Sequence, residues 1–95
     1  MTIISINAIT SIADETYTDE ADIVVEDPHA LGSHEFLALI AGLVGSIWQD
    51  RFQSQPMSIV YRCRNNSSTI TTDAGQPLLP DDVLIRIAQD LLAGI

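Results

Sequence analysis

The 95-residue chain contains no lysine, a single cysteine and few aromatic residues, and each shortage removes a class of protein. Only Arg51, Arg62, Arg64 and Arg86 oppose thirteen Asp and Glu, leaving a formal charge of −9. A field of that sign repels nucleic acid and anionic lipid and attracts basic protein surfaces. With Cys63 alone there is no internal disulfide, which fits a reducing cytoplasm. The longest uncharged stretch, Phe36 to Gln49, falls short of the roughly 20 apolar residues a membrane span needs. The opening MTIISINAIT has neither a basic n-region nor a clean apolar h-region, so no secretory signal is expected and the expected location is the cytoplasm. Phe36, Trp48, Phe52, Tyr17 and Tyr61 are the only aromatics, so Ile, Leu, Val and Ala must build the core.

What is present fits one domain over residues 1–95. Its hydrophobic fraction of 46% is too high for a disordered acidic tail. Residues 3–9 alternate, with Ile4, Ile6 and Ala8 against Ser5 and Asn7, and predict a strand with one buried face. Thr10 to Ala21 is polar and acidic and reads as a loop. Ala21–Glu26 (ADIVVE) predicts a second strand, ended by Asp27-Pro28. Ser33 suits a helix N-cap and Glu35 suits the first turn of a long helix over 34–53. Phe36, Ile40, Leu43, Ile47 and Trp48 give that helix an apolar stripe. It carries no far-side charge before Asp50, so it should be covered on two sides. MSIVYRCR (57–64) alternates in period two, Asn65–Ser68 is rich in turn formers, and TITT (69–72) is β-prone, so a hairpin is expected. Asp73–Leu79 reads as a loop. Pro80 suits the first helical position and Asp81 and Asp82 the first turn of a terminal helix, with Leu84, Ile87, Ala88 and Leu91 inward. The predicted class is α+β: a small antiparallel sheet of about four strands in ββαββα order, with two helices packed on one face.

Most candidate sites are better explained by structure than by chemistry. His29 and His34, near Asp27 and Glu35, are five residues apart rather than at the i, i+4 spacing of helical zinc sites, and they read as polar loop and cap residues. The acidic run lacks the glycine and the aspartate spacing of a calcium loop. Cys63 is flanked by Arg62 and Arg64, yet in a strand those neighbours point to the opposite face, so a buried core cysteine is the better reading. Arg62 and Arg64 should share a strand face and pair with the chain's own acids. No G-x-S-x-G and no phosphate-binding glycine loop is present. No cofactor, no metal and no enzymatic activity are expected. In the long helix, Ala38, Ala41, Gly42, Gly45 and Ser46 are small residues at spacings of three and four. Each helical glycine costs about 1 kcal/mol against alanine, so the pair asks for close approach by another backbone, either within the chain or across a homodimer.

What stands out is the run Asp14–Asp27, which holds seven of the thirteen acids and no Lys, Arg or His. It reads either as a solvated acidic face or as a binding surface for a basic protein. On the second reading Asp14, Glu15, Asp19, Glu20, Asp22, Glu26 and Asp27 are the contacts. In size, charge and lack of catalytic motifs the chain resembles the small acidic inhibitors of phages and other mobile elements, anti-CRISPR proteins among them. The resemblance implies a non-catalytic protein that docks on a basic surface of a larger, nucleic-acid-binding machine and occludes it. The alternative is a homo-oligomeric structural or chaperone-like assembly protein with the 34–53 helix as its interface.

Overall fold

A computed structural model describes residues 2–53, 56–72 and 78–93. The alternation that marks 3–9 as a strand continues without a break: every second residue of β1 (Thr2–Ile12), from Ile4 through Ile6, Ala8 and Thr10 to Ile12, is buried. Ala13 and Asp14 then reverse the chain into β2 (Glu15–Val25), which runs antiparallel beside β1 along its whole length. The stretch expected to be a loop is therefore the heart of a long hairpin. Its polar residues Thr16, Thr18 and Glu20 occupy one face, while Tyr17, Asp19, Ala21 and Ile23 alternate onto the other. Period two overrides the unfavourable strand propensity of Asp and Glu once a partner strand supplies the ladder.

Asp27 accepts a hydrogen bond from the His29 backbone N–H and opens a short 3₁₀ turn, Pro28–Gly32. Ser33 then caps α1 (His34–Arg51) through its hydroxyl, 3.1 Å from the Phe36 backbone nitrogen. The helix stops at Arg51, two residues earlier than expected. β3 (Met57–Cys63) and β4 (Asn66–Thr72) form the second hairpin, whose turn is Arg64-Asn65 rather than a longer Asn65–Ser68 link. Arg64, expected beside Arg62 on a strand face, lies in that turn instead. The first residue of each hairpin turn, Ala13 (φ 53°) and Arg64 (φ 56°), sits in the left-handed region that glycine usually fills. Pro80 is the N-cap of α2 (Asp81–Leu92) rather than its first helical residue. The predicted loop at 73–77 and the last two residues of the terminal helix lie outside the described residues.

The sheet is antiparallel in the order β2-β1-β3-β4, so the two hairpins join through β1 and β3. Both helices pack on one face, with α2 over β3 and β4 and α1 beside it. Between the layers Ile4, Ile6, Ile59, Tyr61 and Cys63 of the sheet meet Ile40, Val44 and Trp48 of α1 and Ile87, Ala88 and Leu91 of α2. Tyr61 donates from its hydroxyl to the Val44 carbonyl at 2.9 Å and ties α1 to β3. Thr10 Oγ1 is buried with no partner among the described residues. The other face of the sheet is open. It is mostly Ser, Thr and Asn, with two apolar pairs in register: Ile9 with Val60, half-buried, and Ile3 with Val24 at the margin, 54% and 56% exposed.

Candidate functional site

The seven carboxylates of the run fall on one hairpin and its exit, and the register sorts them by face. Asp19 projects to the helix side, level with Ala8 of β1. Arg51, in the last turn of α1, grips it with two hydrogen bonds, Nε to Oδ2 at 2.8 Å and Nη2 to Oδ1 at 2.9 Å. The Arg51 guanidinium also lies over the Tyr17 ring, 4.7 Å from its centroid. Tyr17 in turn donates to Glu15. That bond raises the phenol's pKa, with burial and the Glu15 charge adding to it and Arg51 opposing it. Fork geometry makes this the strong form of an ion pair, although exposure to solvent screens it. It fastens the end of α1 to the outermost strand and compensates an inward-pointing charge on a sheet edge.

Glu20 and Asp22 project the other way, onto the open face, two residues apart and therefore about 7 Å from each other. Asp14 is exposed in the hairpin turn, Glu26 is exposed just past the strand, and Asp27 caps the 3₁₀ turn. Among the described residues Arg51–Asp19 is the only ion pair, so Asp14, Glu20, Asp22 and Glu26 keep uncompensated charge. The eleven residues of β2 span about 35 Å, so the run is a charged edge with carboxylates on both faces rather than one flat array. Arg62, expected to pair with it, sits two strands away on the open face, level with Asn7 and hence with Glu20. Neighbouring strands lie about 5 Å apart, which leaves roughly 10 Å between the Arg62 and Glu20 backbones.

Comparison with known proteins finds no matching family model, no significantly similar curated protein and no significantly similar solved structure.

The remaining candidates are placed as follows. His29 and His34 line one open groove of about 800 Å³ between the start of α1 and the end of α2, with Leu31, Leu37, Gln89 and Leu92. Among the described residues no three His, Cys, Asp or Glu side chains converge as a metal would require. Cys63 is buried, and burial pushes its thiol up against the weaker opposing pull of Arg64, the reverse of what an activated nucleophile needs. Of the small residues on α1, Ala41 is buried and Gly45 faces the Leu84 side chain of α2, where an added Cβ would stand 3.5 Å from it, an ordinary contact. A Cβ added at Gly42 would meet nothing within 4 Å, so among the described residues the close backbone approach expected for these glycines is not made. Ala38, Ala41 and Gly42 line an open groove of about 470 Å³ against Asp81, Leu84 and Ile85 of α2, and Ala38, Leu39, Gly42 and Ser46 are all exposed to solvent.

Arg51 is the residue that sequence reasoning missed. Its signal was the face of β2: Tyr17 and Asp19 fall in step with Ala21, Ile23 and Val25, so a carboxylate on the apolar face required a cation from the layer above.

Proposed function

We propose that this chain is a small non-catalytic binding protein whose acidic β1–β2 hairpin docks on a basic surface of a larger, nucleic-acid-binding protein and inhibits it by steric and electrostatic occlusion, in the manner of phage-encoded inhibitors such as anti-CRISPR proteins. The observation that supports this reading is the placement of Glu20 and Asp22 side by side on the open face of an edge strand. Asp14 and Glu26 stand near the two ends of that strand, and among the described residues none of the four has a cation partner. Such an edge gives fast, salt-sensitive association.

The test follows from the way the fold divides the run. Asp14→Asn, Glu20→Gln and Asp22→Asn remove charge from exposed positions and leave the Asp19–Arg51 pair intact. Captured from lysate of the native host at low and moderate salt, the partner is expected to bind this triple variant at least tenfold more weakly than wild type, with a flatter salt dependence. The melting temperature should barely move, because surface changes of this kind stay within about 0.5 kcal/mol. An unchanged affinity would show the acidic edge to be a solvated face and nothing more.

The assembly reading has one observation in its favour, the uncharged outward line Ala38, Leu39, Gly42 and Ser46, with Leu39 49% exposed. With that line free in solution, Gly42→Ala fills open space and should stabilise the helix by about 1 kcal/mol in urea denaturation, with no change in mass. If another copy's backbone were seated there, the added methyl would weaken the assembly instead.

A further inference from the structure

We propose that the free edge of β4 is a self-association surface, on which a second copy of this chain pairs antiparallel about a two-fold axis at Thr69. The two edges of the sheet differ sharply. β2 carries Glu15, Asp19, Glu20 and Asp22, so two β2 edges brought together would set carboxylates against carboxylates. β4 reads NSSTITT, with no charge, no proline and no glycine, and so lacks the usual devices that protect an edge from strand addition. On a chain of charge −9 it is an edge that a second copy can approach without like charges meeting along the strand.

The backbone supports the same register. Cys63 and Asn66 close a two-residue turn, so they form a hydrogen-bonded pair. By alternation Ser68 and Ile70 also bond to β3. Ser67, Thr69 and Thr71 therefore aim their N–H and C=O groups away from the sheet, and no backbone hydrogen bond among the described residues takes them up. An antiparallel copy centred on Thr69 pairs Ser67 with the second copy's Thr71 and Thr69 with its own counterpart, making about six new backbone hydrogen bonds. On the open face only hydroxyl side chains meet.

Charge complementarity on the helix layer selects a second copy as the occupant. Asp90 of α2 lies over Ser68, whose hydroxyl is 3.3 Å from its Oδ2. Arg86 lies further along, lining a groove of about 310 Å³ with Thr69, Ile70, Thr71, Leu79 and Val83. A two-fold axis at Thr69 places the level of Ser68 in one copy opposite Ile70 in the other. Arg86 of each copy then faces Asp90 of the other, giving two reciprocal opposite-charge contacts above the joined strands. The four-stranded sheet doubles, the helices stay on one face, and the two acidic β2 edges are carried to opposite ends. A bivalent arrangement of that kind would bind paired basic surfaces more tightly than a single chain.

Light scattering after size exclusion, across a concentration series of the full chain, is expected to give twice 10.3 kDa at the higher concentrations. Thr69→Lys puts two like charges opposite each other at the axis and should raise the dimer dissociation constant about tenfold or more, with the circular dichroism spectrum unchanged. Arg86→Glu should do the same by setting Glu against Asp90, and Arg86→Glu combined with Asp90→Arg should restore the dimer. If Thr69→Lys disturbs folding, the charge-reversal pair decides alone. A wild-type mass of 10.3 kDa throughout, a species larger than a dimer, or a dimer indifferent to both Thr69→Lys and Arg86→Glu would overturn the proposal. The last of these outcomes would direct attention to α1. None of these measurements involves the acidic hairpin, so the proposal stands or falls separately from the function proposed for that edge.

Discussion

Replacing Trp48 with alanine is expected to cost the fold about 3–5 kcal/mol and to leave much of the chain unfolded at 37 °C. Trp48 is fully buried and is the largest side chain in the core. It comes from the last third of α1 and belongs to the cluster that joins the helix to Ile4, Ile6 and Ile59 of the sheet. Truncation forfeits both its transfer free energy and the contacts around the void, and a neighbourhood built on β1 and β3 cannot collapse into the space. Domains of this size have about 5–15 kcal/mol in hand at most, and small ones sit toward the lower end. The loss should also loosen the Arg51–Asp19 grip three residues further on, because Trp48 fixes the turn that presents Arg51. Urea denaturation followed by far-ultraviolet circular dichroism measures the change, since the variant has no tryptophan left to report by fluorescence. Trp48→Phe keeps most of the volume and should fall well short of the alanine loss. A cost below about 1 kcal/mol for Trp48→Ala would mean that the core is not organised around this side chain.

The fold was legible in the sequence wherever one periodicity ran unopposed. Ile4-Ile6-Ala8 and Met57-Ile59-Tyr61-Cys63 keep apolar residues on a single face and gave two strands. The uncharged stretch from Phe36 to Gln49, behind the Ser33 cap, gave α1. The misreadings share a cause: residues chosen for solvent on one face of a strand look like loop when read as composition. Thr16, Thr18 and Glu20 hide the alternation of Tyr17, Asp19 and Ala21 between them, so the first half of an edge strand reads as loop. Asn66, Ser67 and Ser68 hide the start of β4 in the same way. The acidic run was visible as a run, but its division between two faces was not. That division depends on the register with β1, and only the register shows that Asp19 meets Arg51 from 32 residues away while Glu20 and Asp22 are left to solvent. The edges were equally hidden, because strand order is set by which hairpins join, here through β1 and β3, and no local pattern encodes that choice.

The absence of lysine makes alkaline pH an unusually direct probe of the same core. In most proteins lysine titration dominates above pH 10, whereas here the groups that can lose a proton there are tyrosines, preceded by Cys63. Burial drives the Tyr61 phenol far above its ordinary range, with the Asp19 charge adding to the shift, and burial likewise raises the Cys63 thiol. In the unfolded chain the thiol ionises near pH 8.5 and the phenol near pH 10. Above those values the unfolded state binds fewer protons than the folded state, so the stability slope with pH is negative. The contribution of both groups is complete below about pH 8 and drains away as pH rises past the unfolded pKa values toward the folded ones. Wild-type protein is therefore expected to lose stability steeply between about pH 9 and 11, first through Cys63 and then through Tyr61. Tyr61→Phe should cost about 1 kcal/mol at neutral pH, for the lost bond to the Val44 carbonyl, yet flatten the upper part of that fall. Cys63→Ala should flatten the lower part. Tyr17, on the helix-facing side of β2 but only partly buried, contributes less. Urea midpoints from pH 7 to 11 for wild type and the two variants test this directly. Parallel curves for all three would mean that neither group is held protonated by the core, and that β3 is packed less tightly under the helices than Tyr61 and Cys63 imply.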